Sequence, residues 1–333
     1  MRRIRLAERL GFDSLFTAEI YGTDAVTPLA YLASQTKYLR LGTAVAQVAA
    51  RPPVTTAMQF GSVEELAGRG RVICGLGLSG PQIVEGWYGQ PWGRPNPRLR
   101  DYVTIVRQVF RREGPVVHEG PQIQVPFSGE GALGIGKPLK SILHMNPDIP
   151  IWLATGGPAN TTLMAEIADG WLPLGYTPDC AHIYRPQLEK GLARSGRTLA
   201  DLEIQAGSTV RITDDVKGTI ERAKPQVSFL VGGYGTREYN FHRDAMVRRG
   251  FGEAAERIQE LFMAGRREEA TAAVPDEYID DGALIGSRQR IRQRFFRWAD
   301  SDATGLTIRA VTDEEMAYIA ELAECRPRPD VEV

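Results

Sequence analysis

Residues 151–171 read as one strand, loop, helix and second strand, and the rest of the chain repeats that pattern. Ile151 to Ala154 is a short apolar run, long enough for a buried parallel strand. Thr155, Gly156 and Gly157 make a turn without bulk. Pro158 suits the first turn of a helix, where its missing N–H costs nothing. Leu163 and Ile167 repeat at helical spacing, Asp169 and Gly170 stop the helix, and Trp171 to Leu174 begin the next strand. Such a helix starts with free backbone N–H groups beside two glycines, which lets an anion come close. Two readings fit these residues: a phosphate-bearing cofactor on the loop, or a tight connection that only needs small residues.

Strand-like runs occur near residues 12, 40, 71, 151, 171, 204 and 306, each next to a helical stretch. Repeated strand–helix alternation means a parallel sheet covered by helices. Seven such units are one short of a (β/α)8 barrel. The chain opens directly in a helix over residues 2–10, which Gly11 stops. The expectation is therefore an α/β TIM barrel lacking its first strand. Thr27 and Pro28 suit a helix cap and first turn. Further helices are expected over residues 53–66, 99–110 and up to about Lys224, with Ser287 capping a later one. Two stretches break the rhythm. Residues 113–149 are rich in Gly and Pro, with a hairpin signal over 116–125, and read as an insertion over one barrel end. Residues 233–280 read as a helical lid, with helices at 253–263 and 266–273. One domain over 1–323 and a disordered tail over 324–333 complete the expectation.

With 43% hydrophobic and 24% charged residues, the chain can fill one large core. Its net charge is −1, without a basic block, which argues against nucleic acid and anionic membranes as partners. No apolar run approaches the roughly 18 residues of a membrane span. The start lacks the apolar centre of a signal peptide, so a cytoplasmic protein is expected. Cys74, Cys180 and Cys325 lie far apart, and the four histidines have no ligand spacing. Neither a disulfide framework nor a metal site is expected.

In a βα barrel, chemistry sits where strands end. Glu19 falls at such an end, with Tyr21 and Asp24 just beyond. Glu19 could serve as general acid or base, or it could pair with an arginine while Asp24 caps a turn. Gly75, Gly77 and Gly80 spell G-x-G-x-x-G after a strand, the setting of a dinucleotide fingerprint. The Gly- and Pro-rich stretch 81–97 cannot form the long helix that a Rossmann crossover needs, and Asp101 lies inside a helical stretch. A pocket-lining loop is the better reading, with aromatic surface from Trp87, Tyr88 and Trp92 and polar groups from Ser79, Gln82 and Glu85. Small residues over 43–47 leave room for a flat ring, and they also suit ordinary packing. Lys137 and Lys140 could meet an anionic tail or stay solvated.

Taken in order, these motifs resemble the luciferase-like monooxygenase superfamily, and within it the deazaflavin branch that uses coenzyme F420. The matching stretches are 10–14 with 17–25, 41–45 with 50–53, 75–89, and 154–160 with 168–171. The resemblance implies a (β/α)8 barrel, often a homodimer, with the cofactor at the strand ends. It implies that Ala154, Thr155, Gly156, Gly157 and Ala159 meet the cofactor phosphate. Ala44 and Val45 would lie behind the ring, at a bulge that is often a non-proline cis peptide. Glu19 would lie near the ring as the catalytic residue, Ser79 at the pocket edge, and Tyr21, Gln82 and Trp87 toward a small-molecule substrate. The expected function is hydride transfer between coenzyme F420 and that substrate. An FMN-dependent monooxygenase using O2 and a degenerate cofactor-binding barrel without turnover remain as alternatives.

Overall fold

The computed structural model describes residues 1–333. The first half of the chain contains α1 (Arg2–Leu10), β1 (Ser14–Thr17), α2 (Val26–Ala33), β2 (Arg40–Thr43), β3 (Ala46–Gln47), α3 (Pro53–Ala67), β4 (Val72–Gly77), α4 (Pro81–Val84), α5 (Pro95–Arg111), β5 (His118–Glu119) and β6 (Gln124–Val125). Then come β7 (Ile151–Thr155), α6 (Pro158–Ile167), β8 (Gly170–Pro173), α7 (Ala181–Arg194), β9 (Glu203–Ile212) and α8 (Val216–Gly232). The chain ends in α9 (Phe241–Arg248), α10 (Gly252–Met263), α11 (Arg267–Ala272), α12 (Asp276–Asp280), β10 (Leu284–Gly286), α13 (Arg288–Ala299), β11 (Gly305–Arg309) and α14 (Asp313–Leu322). Strands and helices alternate around a parallel sheet, the α/β TIM-barrel-like arrangement that the sequence pattern implies. The chain divides into two compact units.

The first unit holds residues 13–154 and 163–170. Its strands pair in parallel: β1 with β2 (Ser14 opposite Arg40), β2 with β4 (Leu41 opposite Val72), β3 with β4 (Ala46 opposite Leu76) and β4 with β7 (Cys74 opposite Ile151). Every residue of β4 is buried, as expected of a strand covered on both faces. Leu41, Ile73, Leu76, Phe60, Tyr102, Phe110 and Trp152 are among its fully buried side chains. Helix α2 starts at Val26, not at Thr27. The cap is Asp24, whose Oδ1 accepts from Val26 N at 2.9 Å and Thr27 N at 2.7 Å. In the 113–149 insertion, β5 and β6 form an antiparallel hairpin with His118 opposite Val125. Asp101 Oδ2 anchors its turn by accepting from Gln122 N at 2.8 Å and Ile123 N at 3.0 Å.

The second unit holds residues 1–12, 155–162 and 171–333. Ten-residue β9 gives Gln205–Thr209 to β11 and Val210–Ile212 to β10, both in parallel. Strand β10 escapes the sequence pattern because it is three residues long and runs straight into the Ser287 cap of α13, whose side chain accepts from Arg290 N. The 233–280 stretch is helical, as expected, and has two helices more than the sequence suggests, α9 and α12. Val231, Met246, Ala255, Ile258, Leu261, Ala270 and Val274 form its own small core. The tail, expected to be disordered, runs against α1. Arg328 N donates to Arg9 O at 2.8 Å, and Val331 is buried. Gly11 ends α1 at φ 87°, and a side chain there would collide with Arg326 O.

Candidate active site

One cluster forms at the strand ends of the first unit. After β2 the Ala44–Val45 peptide is cis, as the resemblance implied. Ala44 N donates to Thr17 O at 2.7 Å, and Glu19 N donates to Val45 O at 3.2 Å, so the ends of β1 and β2 are tied together. The G-x-G-x-x-G glycines serve this connection. A Cβ on Gly75 would collide with Thr43 O, one on Gly77 would lie 2.5 Å from Val45 Cγ2, and one on Gly80 would meet the Gln82 amide. Protein atoms fill the space that a dinucleotide fingerprint leaves for pyrophosphate. Helix α4 has only four residues, and Asp101 holds a hairpin, so the Rossmann reading is excluded.

Glu19 is 6% exposed and fully engaged. Its Oε1 accepts from Arg51 Nη2 at 2.5 Å and its Oε2 from Gln47 N at 2.8 Å. Gln47 Nε2 donates to Glu19 O at 3.3 Å. Both halves of the plainer reading therefore occur: Glu19 pairs with an arginine, and Asp24 caps a helix. Burial works to raise the Asp24 carboxyl, yet the Thr27 and Val26 N–H donors and the Arg51 charge hold it below the usual carboxylate range. Arg51 Nη1 and Gln47 Oε1 remain buried without a protein partner. A buried donor and a buried acceptor left over together suit a ligand with both polarities on its edge. Nearby, Tyr21 and Trp87 are 53% and 60% exposed, with ring centroids 6.5 Å apart and edge to face. Tyr88 Oη donates to Ile20 O at 3.3 Å, which joins the 19–25 loop to the aromatic loop. Ser79, just ahead of the aromatic loop in the chain, stands at φ 59°, a left-handed conformation that a non-glycine residue adopts at a cost.

A second cluster forms in the second unit where α6 begins. Thr161 N donates to Gly157 O at 2.9 Å, so the N–H groups before it have no partner within the helix. Pro158 and Ala159 are exposed and Gly157 is half-buried, which leaves that end open. Thr155 is held from behind: its carbonyl accepts from Trp171 Nε1 at 3.2 Å and Leu174 N at 3.3 Å. A Cβ on Gly156 would press to 3.2 Å from Leu174 Cβ and 3.5 Å from Arg248 Nη2. Arg248 Nε and Asn160 Oδ1 are buried without a partner. A bare helix start, a glycine hollow and a guanidinium with an unused N–H fit a phosphate.

The luciferase-like monooxygenase family model matches residues 1–305. The chain belongs to that family. A Mycobacterium tuberculosis protein, provisionally named a coenzyme F420-dependent oxidoreductase, is 44% identical over 323 residues, 96% of this chain and 92% of the relative. The 5,10-methylenetetrahydromethanopterin reductase of Archaeoglobus fulgidus is 27% identical over 87% of this chain and 83% of its own. The solved F420-dependent tetrahydromethanopterin reductase of Methanopyrus kandleri superposes with a TM-score of 0.77 at 21% identity, covering 98% of this chain and 94% of its own. As a luciferase-like family member the chain is an oxidoreductase with the TIM-barrel-like fold. No helix is long and apolar enough to cross a membrane.

Two residues with site geometry carried little signal in the sequence. Arg51 stands in an Ala50-Arg-Pro-Pro53 stretch that reads as a loop entering a helix. Arg248 is one of two arginines in an eight-residue helix, and nothing in its spacing sets it apart.

Proposed function

We propose that this luciferase-like oxidoreductase transfers hydride between coenzyme F420 and a small organic substrate. The observation that carries this reading is the open start of α6, where Pro158 and Ala159 are exposed, Gly157 is half-buried, and the N–H groups ahead of Thr161 have no partner within the helix. Thr155, Gly156, Gly157 and Ala159 would hold the cofactor phosphate, with Ala154 leading into the loop. Ala44, Val45 and Ser79 would meet the ring, and Tyr21, Gln82 and Trp87 would contact the substrate. When bound, the deazaflavin supplies the hydride-carrying carbon. The chain's part is to orient ring and acceptor and to exclude water.

Glu19 takes a narrower role than its position alone suggested. Both of its oxygens carry donors, so giving up a proton would mean first holding one against Arg51. We assign it as a positioning residue that fixes Arg51 and Gln47. The functional form is proposed to be a cytoplasmic homodimer, with the 44%-identical relative's name supporting F420 over FMN. Titrating the purified protein with F420 and FMN side by side tests the reading, with F420 binding expected. Binding of FMN alone would replace it with the monooxygenase alternative, and binding without turnover would favour the degenerate barrel.

A further inference from the structure

Arginine 248 has no acidic partner. Asp244, one helical turn before it on α9, pairs with Arg243 at 2.8 Å. Asp281 pairs with Arg249 at 3.3 Å. Arg249 also donates to Tyr278 O at 3.0 Å and stacks 4.1 Å from the centre of the Tyr278 ring. The two adjacent arginines thus divide their work. Arg249 is anchored within the helical insertion, with its side chain only 6% exposed. Arg248 lies close enough to the Tyr184 hydroxyl to act on it electrostatically, and that hydroxyl donates to Leu174 O at 3.3 Å. Burial pushes that hydroxyl up while Arg248 beside it pulls the other way. The result is a guanidinium held over Gly156 with one Nη 3.5 Å from the glycine's missing Cβ and its Nε unused. A half-buried cation without a counter-charge is costly, and an incoming phosphate anion removes that cost. Arginine's fork also matches phosphate oxygens better than any other side chain.

The geometry points to Arg248 as the residue that reads the cofactor's phosphate, so that the protein prefers a phosphorylated deazaflavin to the bare nucleoside. This rests on the cofactor reading above and adds a discriminating charge from a separate element, α9, to the amides of α6. The loop itself supplies no positive side chain: Thr155, Gly156, Gly157, Pro158 and Ala159 carry none.

The test compares the deazaflavin nucleoside with its 5′-phosphate, titrated against the full chain and followed by ring absorbance. Wild type binds the phosphate form more tightly. Arg248→Gln weakens the phosphate form by roughly 10–100-fold and leaves the nucleoside unchanged. Arg248→Lys falls between, keeping the charge without the fork. Arg249→Gln lowers the melting temperature and keeps the preference, which separates anchoring from recognition. An unchanged preference in Arg248→Gln overturns the assignment while leaving the cofactor reading intact. If wild type binds neither F420 nor these probes, the cofactor reading itself fails and takes Arg248 with it.

Discussion

Arg51 donates to Glu19 Oε1 at 2.5 Å, and the two side chains are 10% and 6% exposed. Taking two charges this far out of water is expensive, and the pair persists because the opposite charges face each other at short range. Gln47 adds a donor to the second carboxylate oxygen at 2.8 Å, and Tyr102 Oη holds the Arg51 carbonyl at 3.1 Å. The strand-end cluster is thus braced from α5 as well as from its own loop.

Removing one partner leaves the other charge buried alone. Arg51→Met or Glu19→Leu should each cost about 3–5 kcal/mol, and the double replacement should cost far less than their sum. Urea denaturation of the four proteins measures this coupling. Additive losses would mean that the two groups do not act as a pair.

Glu19→Gln separates positioning from proton transfer. As a positioning residue it should lower turnover while the pH–rate profile keeps its shape. Disappearance of one limb of that profile would instead make Glu19 the proton donor. Cofactor titration of the same variant separates weakened binding from slowed chemistry.

The three glycines of the apparent fingerprint should differ in their tolerance. Gly75→Ala drives a methyl into the Thr43 carbonyl, which is fixed backbone, and should cost about 3 kcal/mol or more. Gly80→Ala meets only the end of the Gln82 side chain, which can turn away, and should melt close to wild type. Melting curves without any cofactor suffice. Equal losses at both sites would contradict the packing role.

His242 is half-buried and sits edge-on against Tyr234, with ring centroids 5.3 Å apart. Burial lowers its pKa from 6.5 to about 4. The unfolded chain therefore takes up a proton between these values that the folded chain refuses. Stability is complete above pH 6.5 and falls as pH drops toward 4, by up to about 3 kcal/mol from this group. Urea midpoints at pH 7 and 4.5 should show the loss, and His242→Phe should flatten it.

Much of the sheet was legible because its strands are apolar runs punctuated by Gly and Pro. Strand β4 and the β7–α6–β8 unit stand where the pattern puts them, and Pro158 opens α6 as its ring geometry favours. Short elements were not legible. Strand β3 has two residues and β10 three, too few for a period to show. Helix α2 began at Asp24's cap because an aspartate can reach two N–H groups, whereas Thr27-Pro28 merely looks like a start. The site followed the same division. The glycine hollow at α6 was visible as residue types in order. The arginines facing Glu19 and Gly156 were not, since contacts across a fold leave no mark on spacing.

One edge of β9 is shared end to end, its first five paired residues taken by β11 and its last three by β10. A chain cut after residue 303 would lose β11 and bare the ladder from Gln205 to Thr209. Exposed strand backbone invites another chain to add on, so such a fragment should self-associate and precipitate. The final thirty residues therefore act as a guard against polymerisation.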